Sequence, residues 1–307
     1  MAEITAQSVK ALRDKTGAGM MDCKNALAAT NGDMEAAVDW LRAKGLAKAA
    51  KKASRVAAEG LIGVAGEGKA AAVVEVNSET DFVARNELFQ AMVSDIARAA
   101  LAADGDVERL NAMNYPGADK SIADYVTDMV ARIGENMSVR RTAYLAVGNG
   151  VVANYVHNQV APGLGKIGVL VALESSGKQS VLSSFGRQLA MHVAAANPIA
   201  LDLAGVPQDV LEREKAILAE KNQVKPDHVL EKIFQSGLKT FAKEHCLLDQ
   251  VFVITGTDTV AAAVKKAEGE AGAPIAITGF VRYQLGEGIE RGEDDFAAEV
   301  ARATAGV

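Results

Sequence analysis

The sequence predicts an α+β protein of more than one compact unit, and three observations carry that reading. The hydrophobic period changes at Gly60, from helical spacing before it to short strand-like runs after it. A hairpin followed by a helix occurs twice, about ninety residues apart. Residues 207–246 then return to a helical repeat long enough for two helices. The chain has 307 residues, which suits two or three units. Aromatic residues are only 5% of it against 49% hydrophobic, so its cores must be built from Ala, Val, Leu and Ile.

Residues 1–45 read as three short helices. Thr5 caps the first, which carries Val9 and Leu12, and a tight Gly17-Ala18-Gly19 turn follows it. Asp33 caps the third, where Met34, Val38 and Leu41 recur at helical spacing and Gly45 marks the expected end. A module this small buries little and suits docking. Residues 46–58, Ala-rich with Lys48, Lys51, Lys52 and Arg55, read as a solvated, basic helical linker. The sharper alternative, a nucleic-acid patch, lacks interleaved aromatic residues for base stacking.

The segments 61–64 and 72–76 read as strands joined by Gly66-Glu67-Gly68-Lys69. A helix follows with Leu88, Met92, Val93, Ile96 and Leu101 on one face, and another over 121–138 with Ile122, Tyr125, Met129 and Ile133. The pattern repeats with strands at 151–156 and 166–173 around an Ala161–Gly165 turn, then a helix carrying Leu182, Phe185, Leu189 and Val193. Two such units side by side, each sheet covered by its own helix, form the expected pseudo-duplicated core.

In the helical stretch Val210, Ile217 and Val224 step by seven, Pro226 interrupts, and Leu230, Phe234, Leu238 and Phe241 step by four and three. This predicts an antiparallel coiled-coil arm projecting from the core, with Glu212, Arg213, Glu214 and Lys215 outward. The tail reads as a strand at 251–254, a helix at 260–267 and a strand at 275–285. Asp295 then caps a last helix whose small apolar face is Phe296, Ala297, Val300 and Ala301. The expected divisions are thus a three-helix domain 1–45, linker 46–58, first core unit 59–140, second core unit 141–285 with the arm 207–246, and a C-terminal helical module 286–307.

The net charge of −6 hides an asymmetry, with 10 Lys/Arg against 6 Asp/Glu in residues 1–58 and 23 against 33 in the remainder. An acidic body does not track a phosphate backbone, so no direct nucleic-acid partner is expected. No apolar run approaches the roughly 20 residues that span a bilayer, and Met1-Ala2-Glu3 does not open a signal peptide. The expectation is a cytoplasmic protein with no membrane contact. Cys23 and Cys246 lie far apart without metal-ligand spacing, which points to packing roles.

Gly63-Val64-Ala65-Gly66-Glu67-Gly68-Lys69 matches the spacing of a phosphate-binding P-loop up to its lysine. Ala70 then lacks the hydroxyl for Mg²⁺, and the segment lies between two strands, whereas a P-loop opens onto a helix N-terminus. A nucleotide-binding enzyme using residues 63–69 is therefore the alternative reading. His157, His192, His228 and His245 fall in different elements without metal pairing; His192 reads as a satisfied core or edge residue and His157 as exposed. No catalytic residue, cofactor or metal site is expected.

One segment, Asn77-Ser78-Glu79-Thr80-Asp81-Phe82-Val83-Ala84-Arg85-Asn86, resists a bland interpretation. Thr80 and Asp81 can cap the following helix with Phe82 folded under as a staple. The alternative is an exposed aromatic on a rigid turn, the kind of anchor that carries an interface.

Thr80 to Asn86 closely resembles the signature of the translation elongation factor Ts family. So do Leu12-Arg13-Asp14-Lys15-Thr16-Gly17-Ala18-Gly19-Met20-Met21-Asp22-Cys23-Lys24, Ile133-Gly134-Glu135-Asn136, Ile167-Gly168-Val169-Leu170-Val171, Ala190-Met191-His192-Val193-Ala194-Ala195 and Gly286-Glu287-Gly288-Ile289-Glu290, in family order across essentially the whole chain. The sequence departs from that pattern in the Ala161–Gly165 loop, which looks like a short insertion, and in Ser78-Glu79, which replaces a Cys-Gln pair.

The resemblance implies a ubiquitin-associated-like (UBA-like) N-terminal domain and a guanine-nucleotide exchange factor for elongation factor Tu, acting by protein binding and not as an enzyme of covalent chemistry. It implies that Thr80, Asp81, Phe82 and Val83 meet the partner in its GDP-bound and nucleotide-free forms. Asp81 and Phe82 would insert beside the nucleotide and dislodge the partner's Mg²⁺. Met20, Met21, His157 and Phe296 are implied as further contacts. The N-terminal domain, first core unit and C-terminal helix would face the partner's GTPase domain, the second unit its third domain, and the arm is a route to a homodimer.

Overall fold

Thr5 and Ser8 form a capping box that starts the first helix in the computed structural model, which describes residues 4–222 and 226–290. Three helices follow, α1 (Ala6–Thr16), α2 (Met20–Ala29) and α3 (Met34–Lys52). Asp33 caps the third by accepting from Ala36 N–H at 2.9 Å. They close over a small core of Val9, Leu12, Cys23, Ala26, Leu27 and Ala37. The end expected at Gly45 does not occur, because α3 continues to Lys52. Good helix formers flank the glycine and absorb its cost of about 1 kcal/mol. A Cβ at Gly45 would lie 3.2 Å from Ala131 Cβ, so the missing side chain serves a close helix approach. Part of the "solvated" linker is thus a helix docked on the core.

The first sheet is built from β1 (Glu59–Ala65), β2 (Ala70–Ser78), β3 (Met137–Ala146) and the two-residue β5 (Leu164–Gly165), in the order β3-β2-β1-β5 and antiparallel throughout. Between β2 and β3 come α4 (Glu87–Ala99), α5 (Val107–Ala112) and α6 (Ile122–Ile133). Two expectations change here. The helix expected to reach residue 138 stops at Gly134, whose left-handed φ of +95° ends it, and the chain then enters β3, which runs across position 140. On α4, Phe89 takes the buried place expected for Leu88, which is exposed.

The second sheet contains β4 (Gly150–His157), β6 (Ile167–Glu174) and β7 (Ala276–Gln284), antiparallel in the order β4-β6-β7. It is covered by α7 (Gln179–Ala196) and α10 (Val260–Ala271). The sheets are not side by side; they stack face to face, with helices outside. Alternation along each strand shows this. On β2, Ala72, Val74 and Val76 face α4 and α6, while Ala71 and Val73 join Ile62, Val152, Leu170 and Ala172 between the sheets. On β6, Val169, Val171 and Leu173 face α7. Gly168 permits a close approach, since a Cβ there would lie 2.5 Å from Ile62 Cγ2.

Before α10 the chain forms a helix pair, α8 (Gln208–Glu220) and α9 (Asp227–His245), the latter preceded by Pro226. Val210 and Leu211 pack near Phe241 and Ala242, and Leu218 lies against Gly237, so the pair runs antiparallel. The heptad position expected at Ile217 is exposed and Leu218 makes the contact instead. Val224 lies outside the described residues.

The strand expected at 251–254 is a turn. Its backbone donors do not enter a ladder: Phe252 N–H goes to Asp258 O within the turn and Val253 N–H to His192 Nδ1 on α7 at 3.2 Å, leaving one bridge from Val251 to Thr259. The last helix expected from Asp295, with Phe296, Ala297, Val300 and Ala301, lies outside the described residues. Among the described residues no helix is long and apolar enough to cross a membrane.

Candidate partner-binding site

The strand β2 delivers the chain into the loop 79–86 at the edge of the first core. Gly60 lies opposite its end with φ +119°, and a Cβ there would come within 2.2 Å of Val76 O, so only glycine lets the strands close at that point. Ser78 Oγ donates to Thr80 O at 3.0 Å and bends the chain away from the sheet. A single 3₁₀ turn, Val83–Arg85, follows, and Asn86 caps α4 by accepting from the N–H groups of Leu88 and Phe89. Thr80 and Asp81 are therefore not the cap.

Phe82 is 74% exposed, which removes the staple reading. Its neighbours hold the turn. Val83 is only 4% exposed and packs with Ala84 in the core beneath, so its side chain supports the loop from below. Arg85 pairs with Asp81 at 3.1 Å, and its guanidinium lies 5.9 Å from the Phe82 ring centroid. Exposed pairs of this kind contribute about 0–1 kcal/mol, so Asp81 and Phe82 can leave Arg85 for a partner at little cost.

The other flank is tied to the segment after α6. Glu135 accepts twice from Thr80, with Oε1 to Thr80 Oγ1 at 2.7 Å and Oε2 to Thr80 N at 2.9 Å. In return Asn136 N–H donates to Glu79 Oε1 at 2.5 Å, and Arg55 pairs with Glu79 Oε2 at 3.2 Å. These partners lie 24 to 57 residues away along the chain, so no local pattern singles them out.

Of the remaining site candidates, Met20 and Met21 are exposed at the start of α2. His157 is exposed at the end of β4, where its Nδ1 is 3.1 Å from Tyr155 Oη. Phe296 lies outside the described residues. Thus Thr80 to Val83 form one continuous unit, while Met20 and Met21 on α2 and His157 on β4 sit on separate elements.

The P-loop-like stretch is the end of β1 and the hairpin turn that follows it. Lys69 Nζ donates to Gly148 O at 2.8 Å and Gly66 O accepts from Asn154, so lysine and backbone are engaged within the protein. His192 is a satisfied core residue, with Nε2 2.9 Å from Gln250 Oε1. A cleft of about 500 Å³ between the three-helix module and α6 is lined by Lys15, Asp22, Lys44, Lys48, Tyr125 and Arg132. Hydrogen bonds from Lys48 and Lys44 hold the Asp22 carboxyl below its ordinary range, so the charges there are partly matched from within. Among the described residues no group of three or more His, Cys, Asp and Glu is placed to hold a metal ion.

The arrangement defines an α+β protein that presents Thr80 to Val83 on a surface loop tied at both flanks, with Phe82 exposed. Comparison with known proteins makes this specific. The family model described as elongation factor TS matches residues 79–287, more than half of the chain. Elongation factor Ts of Methylobacterium nodulans is 62% identical over 307 residues, covering 100% of both chains. That of Parvibaculum lavamentivorans is 61% identical over 308 residues, again covering 100% of both, and that of Xanthobacter autotrophicus 60% identical over 303, covering 99% of each. The chain belongs to the elongation factor Ts family.

Proposed function

We propose that this protein is a guanine-nucleotide exchange factor that accelerates GDP release from elongation factor Tu during translation elongation. The observation that carries the reading is Phe82, 74% exposed on a turn held at both flanks, within a chain of this family. GDP in such a GTPase is held largely by Mg²⁺ and oriented backbone donors. A loop that brings Asp81 and Phe82 beside the nucleotide displaces that ion and removes much of the charge compensation. Factor and nucleotide then weaken each other's binding by the same factor, as linkage requires. The reaction needs no cofactor of the factor's own and no covalent chemistry.

In this reading the three-helix part is a UBA-like docking domain and the α8–α9 pair a coiled-coil arm available for homodimerisation. The functional units are the helices α1–α3, the first sheet with α4–α6, the second sheet with α7, α10 and the arm, and a C-terminal module over 286–307. Met20, Met21 and His157 add contacts, with Phe296 from the C-terminal module, and the site of action is the cytoplasm. Release of a fluorescent GDP from the cognate elongation factor Tu tests the function. Acceleration that saturates with added protein is expected, and no acceleration overturns it.

A further inference from the structure

Phe82 is so exposed that nothing in its own packing fixes where it points. Its direction rests on the residues before and after it. Behind it, Val83 and Ala84 are buried. Ahead of it, Thr80 is held by both oxygens of Glu135, at 2.7 and 2.9 Å. Charge-assisted bonds of this type are the stronger class of hydrogen bond.

The segment Gly134–Asn136 also grips the end of the N-terminal module. Lys52 Nζ donates to Gly134 O, and Asn136 Nδ2 donates to Arg55 O at 2.7 Å. Arg55 in turn reaches Glu79, the residue next to Thr80, at 3.2 Å. One short segment thereby holds the exit of α3 on one side and the Asp81–Phe82 loop on the other.

We propose that Glu135 is a positioning residue for exchange: its paired bonds to Thr80 set the loop that presents Asp81 and Phe82, and its segment keeps that loop in register with the N-terminal helices. The inference rests on the exchange reading above. Its chemistry makes a discriminating series possible. In Glu135→Gln the amide oxygen still accepts from Thr80 N–H, and the amide nitrogen donates to the Thr80 hydroxyl, which can reverse its role. Glu135→Ala loses both bonds, and Thr80→Val loses only the hydroxyl bond.

Two measurements on the full chain test it. The first is amide hydrogen exchange across residues 79–85, which reads the loop whether or not the protein accelerates nucleotide release. Loss of both charged hydrogen bonds should speed exchange there by at least about tenfold in Glu135→Ala, with near wild-type rates in Glu135→Gln. The second is fluorescent GDP release at saturating factor. The maximal rate should fall about tenfold in Glu135→Ala, less in Thr80→Val, and recover in Glu135→Gln, while the half-saturating concentration changes little. Combining Thr80→Val with Glu135→Ala should add nearly nothing to Glu135→Ala alone.

Wild-type loop protection and release rate in Glu135→Ala would overturn the proposal and leave the exchange function standing. A general loss of protection across the core in Glu135→Ala, with Thr80→Val indistinguishable from wild type in both measurements, would also overturn it. If wild type itself accelerates nothing, the exchange reading fails, whatever the loop measurement gives.

Discussion

The amide N–H of Gly286 donates to the carboxylate of Glu75 at 2.8 Å, joining residues 211 positions apart. Glu75 is fully buried in the middle of β2, and it also accepts from Arg140, Arg141 and Asn77. Arg140 reaches onward to the carbonyl of Glu287 just past β7, and Arg141 to that of Gln284 at its end. A single carboxylate therefore clasps the first sheet to the end of the second, on the strand that leads into the Phe82 loop.

Removing that carboxylate should be costly because it leaves Arg140 without its ion pair and Arg141 with only the 3.5 Å pair to Glu287. Glu75→Ala should lose about 3 kcal/mol of stability at neutral pH, measured by urea unfolding. Burial pushes the Glu75 carboxyl up, but bonds from Gly286 N–H, Asn77 and Arg141 outweigh it and hold it below its ordinary value. The stabilisation is therefore full above the unfolded glutamate value of about 4.3 and is lost as pH falls through the lower folded one. The gap between wild type and variant should narrow in that acidic window.

His192 should give a second pH dependence at milder acidity. Val253 N–H donates to Nδ1, so the ring is neutral with its proton on Nε2, directed at Gln250 Oε1. Burial lowers its pKa, with the Gln250 bond opposing. Below the ordinary histidine value of about 6.5 the unfolded chain binds a proton that the folded chain refuses, so stability falls as pH drops until the folded value is reached. Between pH 7 and 5 wild type should lose up to about 1.4 kcal/mol per pH unit more than His192→Leu, read from urea midpoints.

Phe82→Ala should leave the fold alone and damage function. Exposed substitutions shift stability by within about 0.5 kcal/mol, so the unfolding midpoint should barely move. An interface anchor truncated to alanine removes about 2 kcal/mol, so kcat/KM for GDP release should drop by about thirtyfold. Stopped-flow release of fluorescent GDP measures both the rate and its saturation. Equal acceleration by both proteins would move the work to Asp81 and the wider interface.

Gly168→Ala tests the stacking of the sheets. The new Cβ would sit 2.5 Å from Ile62 Cγ2 and within 3.1 Å of Val64 and Val73 methyls, inside a packed interface. Overpacking of this kind costs about 1–3 kcal/mol, visible in thermal unfolding. GDP release per folded molecule should be unchanged, because the loop hangs from the opposite face of the first sheet, with Val83 and Ala84 in the core under α4.

Patterns within about ten residues were legible in the chain because they depend on local chemistry. Thr5 and Asp33 cap helices, Leu182, Phe185, Leu189 and Val193 face inward, and residues 66–69 join β1 to β2 as a hairpin turn. The same reading mistook Leu88 for Phe89 and Ile217 for Leu218, since neighbouring apolar residues compete for one inward direction and the partner surface chooses. It ended α3 at Gly45, where α6 in fact demands a residue without a side chain.

From its amino acids alone, then, this protein has its α+β class, its twice-repeated hairpin and helix, its antiparallel helix pair, and the segment Thr80–Asn86 that stands out. Periodicity and capping are encoded over one or two turns of chain, which is why they survive without a fold. The face-to-face stacking of the sheets, the exposure of Phe82 and its tether through Thr80 to Glu135, and the clasp from Glu75 to Gly286 came only with the chain folded. Each joins groups 55 to 211 residues apart or depends on which face of an element is covered, and neither property leaves a mark on local spacing.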